Sequence, residues 1–448
     1  MSDLELVISA GRASLGDAWR AVRIGIAGGR IATLDAPASP GVPEVVLAAD
    51  EVLLPGLVDT HVHVNEPGRT EWEGFDSATR AAAAGGVTTL LDMPLNSIPP
   101  TIDPDALDVK RAVAGPKARI DVGFWGGAVP SNLGRLRELH DRGVFGFKCF
   151  LSPSGVDEFP HLSTDELHRA QAELAAFDGL LIVHAEDPAV LDAHVDPDGG
   201  AAYARFVASR PPEAETTAIE HVIAGLRAHG GRAHILHVSS ARTLPLIAAA
   251  KAEGLRLTAE TCPHYLTLDA EHIADGATAF KCCPPIRDEA NRDALWAGLV
   301  DGTLDLIVSD HSPATAELKL DPDGDFTRAW GGISGLQLGL AAVWTEAARR
   351  GLPLEFVIHR MSRATADFAG LADRGRIEVG ARADLVAFAP DRAFVVDPER
   401  LAHKNRVSAY AGAELRGVVA RTWLAGSPVD ADAPPRGILV ERPFPLVE

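Results

Sequence analysis

Cysteine is scarce. The 448-residue chain carries four, Cys149, Cys262, Cys282 and Cys283, and no two of them have CxxC spacing. So few thiols in so long a chain cannot staple a disulfide framework, and they fit a reducing compartment, the cytoplasm. Positive charge is also short. Against 62 Asp and Glu there are 42 Lys and Arg, for a formal net charge of -20. Nucleic acids and anionic membrane surfaces are met with basic patches, so neither is an expected partner. No run of about 18 apolar residues occurs, which excludes a membrane-spanning helix. The opening MSDLELVISAGRASLG lacks a basic stretch followed by an apolar one, so no secretory signal is expected. Repeats of about 20–50 residues and low-complexity linkers are missing too. The tail, APPRGILVERPFPLVE, is proline-rich and predicts an extended surface segment. What remains is 46% hydrophobic and 23% charged, the composition of an ordinary globular protein with a large core.

The texture changes along the chain. Residues 1–54 read as short strands with Gly and Pro punctuation (LELVIS, VRIGIAGGRIATL, EVVLAADEVLL), and residues 376–448 read the same way (ADLVAFAP, RAFVVD and LRGVVARTWLAG, the first beginning at Ala383). Between them, apolar strand-like runs alternate with Ala-rich helical segments: GVTTLLDMP, ARIDVGFWGG, VFGFKCFL, GLLIVHAED, RAHILHVSS, LRLTAETCP and LDLIVSDHSP, separated by stretches such as SATRAAAAGG and TLPLIAAAKAEG. Repeated strand–helix alternation means a parallel sheet with helical crossovers. About eight units over residues 55–375 predict an α/β fold, a closed (β/α)8 TIM-like barrel. An open doubly wound sheet is the alternative, disfavoured because no glycine-rich phosphate loop follows the first strand. Residues 1–54 and 376–448 are expected to form one small β-sandwich domain from both termini.

The stretch GLVDTHVHVNEPG places His61 and His63 two apart at the end of an apolar run. In a strand, residues i and i+2 face the same way. At the C-terminal end of a barrel strand, where barrel active sites lie, two imidazoles make half of a metal site. Alone, the pair fits two hydrogen-bonded histidines equally well. Other strands end in further ligands: Lys148 in VFGFKCFL, His184 in GLLIVHAED, His237 in RAHILHVSS and Asp310 in LDLIVSDHSP. Four histidines and an aspartate at strand ends favour a cation site. Lys148 sits in an apolar setting where an unpaired ammonium is costly. It is either paired to a carboxylate or deprotonated and converted by carbon dioxide to a carbamate, whose two oxygens can serve two ions about 3.5–4 Å apart.

Over essentially its whole length the sequence resembles the amidohydrolase superfamily, and within it the cyclic-amide hydrolases related to hydantoinase and dihydroorotase. The resemblance is carried by PGLVDTHVH, AGGVTTLLDMP, GFKCFL, IVHAED, ILHVSS, ETCPHYL, KCCPPIRD, SDHSP and GRIEVGARADLV. It implies metal ligands at His61, His63, Lys148 as N6-carboxylysine, His184, His237 and Asp310. It implies His61, His63 and Asp310 on the more buried ion, and His184 and His237 on the second, with the carbamate and a hydroxide shared between them. The hydroxide would attack the ring amide carbon while Asp310 moves the proton to the departing nitrogen. Zinc fits these ligands first; cobalt, manganese, iron and nickel are the alternatives. His264, in ETCPHYL, matches a motif position with a structural or a catalytic role. The resemblance further implies a homo-oligomer, tetramer or dimer.

For the substrate, dihydroorotase has the pattern HxHxRE, whose arginine grips a ring carboxylate. Here that position is Asn65, and an amide cannot replace a guanidinium's paired charge-assisted bonds. Arg69 nearby is the one candidate for compensation. Cys283 stands where dihydroorotase has Asn before PP. Hydantoinases carry a tyrosine shortly after the lysine, and CFLSPSGVDEF has none; SPSGVDEF is instead a candidate mobile lid. NEPGRTEWEGF with DMPLNSIPPT most resembles the allantoinase group, which implies the small, neutral, polar substrate allantoin. Candidate substrate contacts are Asn65, Asn96, Ser152, Cys283 (through its backbone) and the Gly331-Gly332 backbone. The alternatives are another cyclic amidohydrolase, hydantoinase- or dihydroorotase-like, and a non-catalytic scaffold of the same fold.

Overall fold

The computed structural model describes residues 4–16, 18–430 and 432–443. Eight parallel strands form the central barrel: Leu57–Val62, Val87–Asp92, Asp121–Phe124 (continued by Gly126–Gly127), Phe147–Phe150, Leu180–His184, Arg232–Ile235, Leu257–Thr261 and Leu306–Ile307. They pair in chain order, with Phe150 opposite His184 and Val183 opposite Ile235. The ring closes where the His63 N–H donates to the His311 carbonyl at 2.8 Å and Val62 bridges His311. The (β/α)8 barrel expected from the alternation is therefore the observed architecture.

Local chemistry explains the crossovers. Ser163 and Glu166 form a reciprocal capping box at the start of Thr164–Ala175. Asp103 accepts from the Ala106 N–H before Pro104 at the first turn of Pro104–Ala114. Gly302 ends Glu289–Asp301 at φ 85°, a left-handed conformation that glycine adopts without strain. SATRAAAAGG and TLPLIAAAKAEG fall on the helices Phe75–Ala84 and Leu244–Ala252. Alternate strand residues such as Leu90, Val122, Phe147, Leu181 and Ile235 are buried, each such side chain contributing roughly 1.5–3 kcal/mol. Among the described residues, no helix is long and apolar enough to cross a membrane.

Both ends of the chain share one sheet. Its order is 427–428, 414–424, 385–395, 52–55, 6–14, 19–27, 30–33, with 44–46 also pairing on 6–14. Val386 lies antiparallel opposite Leu54, so the short strand Val52–Pro55 joins the N-terminal half to the C-terminal half just before the barrel begins. The described part of the proline-rich tail runs over the surface as an extended segment, as read in the sequence, with only Val440 buried. Residues 437–442 fasten onto the N-terminal side of the barrel: Gly437 N–H to the Ala118 carbonyl at 2.9 Å, Ile438 N–H to Asp121 Oδ1 at 3.0 Å, Val440 N–H to the Val122 carbonyl at 2.8 Å. Backbone groups there find partners on an open strand end, and Val440 is buried against it. Residues 444–448 of that tail lie outside the described residues, as do Met1–Asp3 of the opening stretch.

Candidate metal centre

The stretch DTHVH forms the end of the first barrel strand, with His63 just beyond it. Asp59 ties this strand to the eighth, accepting from the His61 N–H at 3.1 Å and the Ser309 N–H at 3.2 Å. His61 and His63 then face one point. Asp310 Oδ1 is 3.1 Å from His61 Nε2 and 3.6 Å from His63 Nε2. Lys148 Nζ lies 3.4 and 3.5 Å from the same two nitrogens. The other pair faces itself: His184 Nδ1 is 3.0 Å from His237 Nε2, and the His237 and His61 rings are 5.4 Å apart. Four strands (the first, fourth, fifth and sixth) and the segment after the eighth thus bring all six residues together, although up to 249 positions separate them in sequence.

Two of the four imidazoles, His61 and His184, are aimed from behind. Glu260, on the seventh strand, stands 2.6 Å from His61 Nδ1 and 3.0 Å from His234 Nε2. With Nδ1–H donating to Glu260, the lone pair of His61 sits on Nε2, toward Asp310. His184 Nε2 stands 2.8 Å from Glu186 Oε2, which leaves its Nδ1 lone pair facing His237. His184 also stacks on Phe150, centroids 4.5 Å apart. Lys110 forms a buried ion pair with Asp92 at 2.7 Å, and Asp92 accepts the Val64 N–H at 2.9 Å, fixing the chain beyond His63. His237, Asp310, Asn65 and Asn96 all have φ between 35° and 65°, the left-handed region that non-glycine residues adopt at a cost.

The electrostatics suit a cation. Burial, reinforced by the Lys148 charge, holds His61 and His63 well below the ordinary histidine range, and burial with His184 and Lys148 does the same for His237. Neutral imidazole is the form that ligates metal. Burial, opposed by Asp310 and Glu260, brings the Lys148 ammonium down to about 8. Burial, opposed by Lys148, lifts the Asp310 carboxyl to about 8. A cation placed among these groups compensates Asp310 and accepts the imidazole lone pairs. His61, His63 and Asp310 bring one donor atom each within 4.8 Å of one another, a set that could hold a metal ion. The buried His184 Nδ1 and His237 Nε2, two nitrogen atoms at contact distance, fit a second. Cys262, His264 and Asp310 make another group of this kind, but burial keeps the Cys262 thiol protonated. His264 itself lies on the short helix Pro263–Thr267, its ring against Tyr265.

Above these groups opens a cavity of about 350 Å³, lined by His63, Lys148, His184, His237 and Asp310 and walled by Asn96, Phe150, Arg210, Lys281, Cys283, Trp330, Gly331 and Gly332. A side chain at Gly332, φ 139°, would meet the Ser312 carbonyl at 2.4 Å, so only glycine fits there. Of the substrate contacts read from the sequence, Asn96, Cys283, Gly331 and Gly332 reach the cavity. Asn65 and Ser152 are buried and do not line it. Asn65 Oδ1 accepts from Asn96 Nδ2 at 3.1 Å, and its own Nδ2 donates to the Pro313 carbonyl at 3.3 Å. Arg69 pairs with Glu158 and donates to the Asn96 carbonyl at 2.7 Å, which occupies it away from the cavity. Sequence reasoning missed Glu260, Glu186 and Arg210. We expect Glu260→Gln to weaken metal affinity by roughly 10–100-fold, the usual cost of losing a group that orients a ligand histidine, read by competition with a chelator.

A parallel barrel whose strand ends converge buried histidines, a lysine and an aspartate defines a metal-site hydrolase scaffold, and the chain belongs to the amidohydrolase family, whose profile matches residues 52–429. Within it the chain is similar to allantoinases. It is 57% identical over 450 residues to the allantoinase of Streptomyces avermitilis, covering 99% of this chain and 100% of that one. It is 43% identical to the allantoinase of Arabidopsis thaliana, over 86% of this chain and 79% of that one. Among solved structures, the L-hydantoinase (dihydropyrimidinase) from Arthrobacter aurescens superposes with a TM-score of 0.90 at 28% identity, over 98% of both chains.

Proposed function

We propose that this chain hydrolyses the hydantoin-ring amide of allantoin to give allantoate, a step of purine breakdown. The observation that carries the reading is the convergence of four imidazoles, Lys148 and Asp310 at the foot of one cavity, in a chain whose full-length relative is an allantoinase. Residues 55–375 supply every one of these groups; residues 1–54 and 376–448 frame them. His61, His63 and Asp310 would hold one divalent cation and His184 and His237 a second, zinc first among the candidates, with a Lys148 carbamate ligating both. Bound there, the cations supply Lewis acidity, acidifying a water from a pKa of 15.7 toward about 7 and polarising the ring carbonyl.

The chain's own groups do the rest. Asp310, whose carboxylate lies beside both His61 and His63 and lines the cavity, takes a proton from the attacking water. Water oxygen bonds to the ring carbon and the ring C–N bond breaks. Asp310 then returns the proton to the departing nitrogen, as a base that becomes an acid. Glu260 and Glu186 keep His61 and His184 from turning. Among the described residues, both cavity-lining guanidinium groups have a carboxylate partner: Arg210 is bound by Glu186, and Arg328 by Asp321 and Asp323. That suits an uncharged ring better than dihydroorotate. The protein acts in the cytoplasm, as its four free thiols suggest, and the family resemblance makes it a tetramer or dimer, which light scattering reads. Turnover of allantoin, hydantoin and dihydroorotate measured side by side tests the substrate. We expect allantoin to lead; dihydroorotate or hydantoin leading would overturn the reading.

A further inference from the structure

Arg210 lines the cavity, yet the chemistry above gives it no contact with substrate. It follows the helix Tyr203–Ser209 and precedes Pro211. Its carbonyl accepts from Arg287 Nη2 at 3.1 Å, and Arg287 is itself paired with buried Glu215 at 2.7 Å, so the backbone is anchored. Its Nε donates to Glu186 Oε1 at 3.0 Å and its Nη2 to Glu186 Oε2. That two-point grip occupies one edge of a rigid, planar group with five N–H donors. The remaining nitrogen, Nη1, has no acceptor among the described residues. The side chain is 21% exposed, and the space it meets is the cavity. With one edge locked, the plane cannot swing away from what binds there.

The charge state sets what that edge prefers. Glu186 already compensates the guanidinium, so a ligand carboxylate gains little net attraction, whereas a neutral urea or amide carbonyl still gains charge-assisted hydrogen bonds. The other cations of the wall are engaged: Lys281 Nζ donates to the Ala329 carbonyl at 2.5 Å and the Thr327 carbonyl at 3.4 Å, and Arg328 to Asp321 and Asp323. We propose that Arg210 is a specificity residue whose Nη1 donates to the carbonyl oxygen of the ureido arm carried on the hydantoin ring. This rests on the reading of allantoin as substrate, and it gives Arg210 a direct contact besides its hold on Glu186 and, through it, His184.

The test compares the metal-loaded wild type with Arg210→Lys, which keeps a charge for Glu186 and loses the free edge. Methylurea serves as the probe of the arm. We expect the variant to keep its metal content and a kcat within about threefold, and to raise KM for allantoin roughly tenfold or more, the worth of a hydrogen bond to a charged group. Methylurea should compete with allantoin on the wild type and bind it by ligand-observed NMR, and that binding should vanish in the variant. An unchanged KM overturns the proposal. So does a fall in kcat or metal content with methylurea binding intact, because Arg210 would then act only through Glu186 and His184. If the variant does not fold, the wild type decides alone: methylurea displaced by allantoin supports the contact, and no methylurea binding removes it. A wild type that binds methylurea through Arg210 but leaves allantoin intact would sink the substrate reading and keep the ureido site.

Discussion

Asn in place of Asp310 is expected to lower allantoin turnover by roughly 10²–10⁴-fold, the range a positioned acid–base group supplies. The substitution is nearly isosteric, and Asn tolerates the left-handed backbone that Asp310 occupies at φ 43°, so the strand end keeps its shape. What goes is the charge, and with it the proton acceptor 3.1 Å from His61 Nε2. An amide can still offer an oxygen to a cation, so metal content should fall less than kcat. Single-turnover kinetics, metal counts and a melting curve on the same preparation separate these effects. A kcat within about threefold of wild type, with full metal content, would remove Asp310 from proton transfer.

The second large effect belongs to Lys148. Lys148→Ala should abolish most activity, with a loss exceeding the roughly 10–100-fold typical of a group that merely orients a ligand. The fully buried side chain lies within 3.5 Å of both His61 and His63, so truncation leaves space at the centre of the ligand set. If its role is to present a carbamate to two cations, short carboxylic acids such as acetate or propionate should enter that space and restore part of the rate. An ordinary structural lysine predicts lost stability and no rescue. Unchanged activity in the alanine variant would exclude a role in the centre altogether.

Much of this was legible in the sequence, and the reason is geometric. A barrel presents the ends of its strands to one place, so GLVDTHVH, GFKCFL, IVHAED, ILHVSS and SDHSP could be read as one constellation without knowing any distance. The groups behind that constellation were not legible. Glu260 sits in LRLTAETCP, an unremarkable strand, and acquires meaning only because His234 on the adjacent sixth strand and His61 on the first, two strands round the barrel, both reach it. Arg210 lies 24 positions beyond Glu186, and only the fold of the intervening helices brings the two into contact. Asn65 shows the converse. Its type suggested a substrate contact, but left-handed turns at Asn65 and Asn96 direct the two amides to each other, and only Asn96 reaches the cavity. Arg69, the candidate substitute for a carboxylate-binding arginine, is engaged by Glu158. Side-chain pairing across distant loops leaves no periodic mark on a sequence, whereas strand ends do.

The most direct measurement is allantoin hydrolysis as a function of metal bound per chain. Protein purified without chelator is stripped, checked for retained fold, and titrated back with zinc while allantoate formation and bound metal are read on each sample. Turnover should be absent in the stripped protein and rise to a plateau at about two ions per chain, the stoichiometry of a two-metal hydrolytic site. Allantoin turnover that persists in fully stripped protein, or two ions bound with no allantoate formed, would contradict the account.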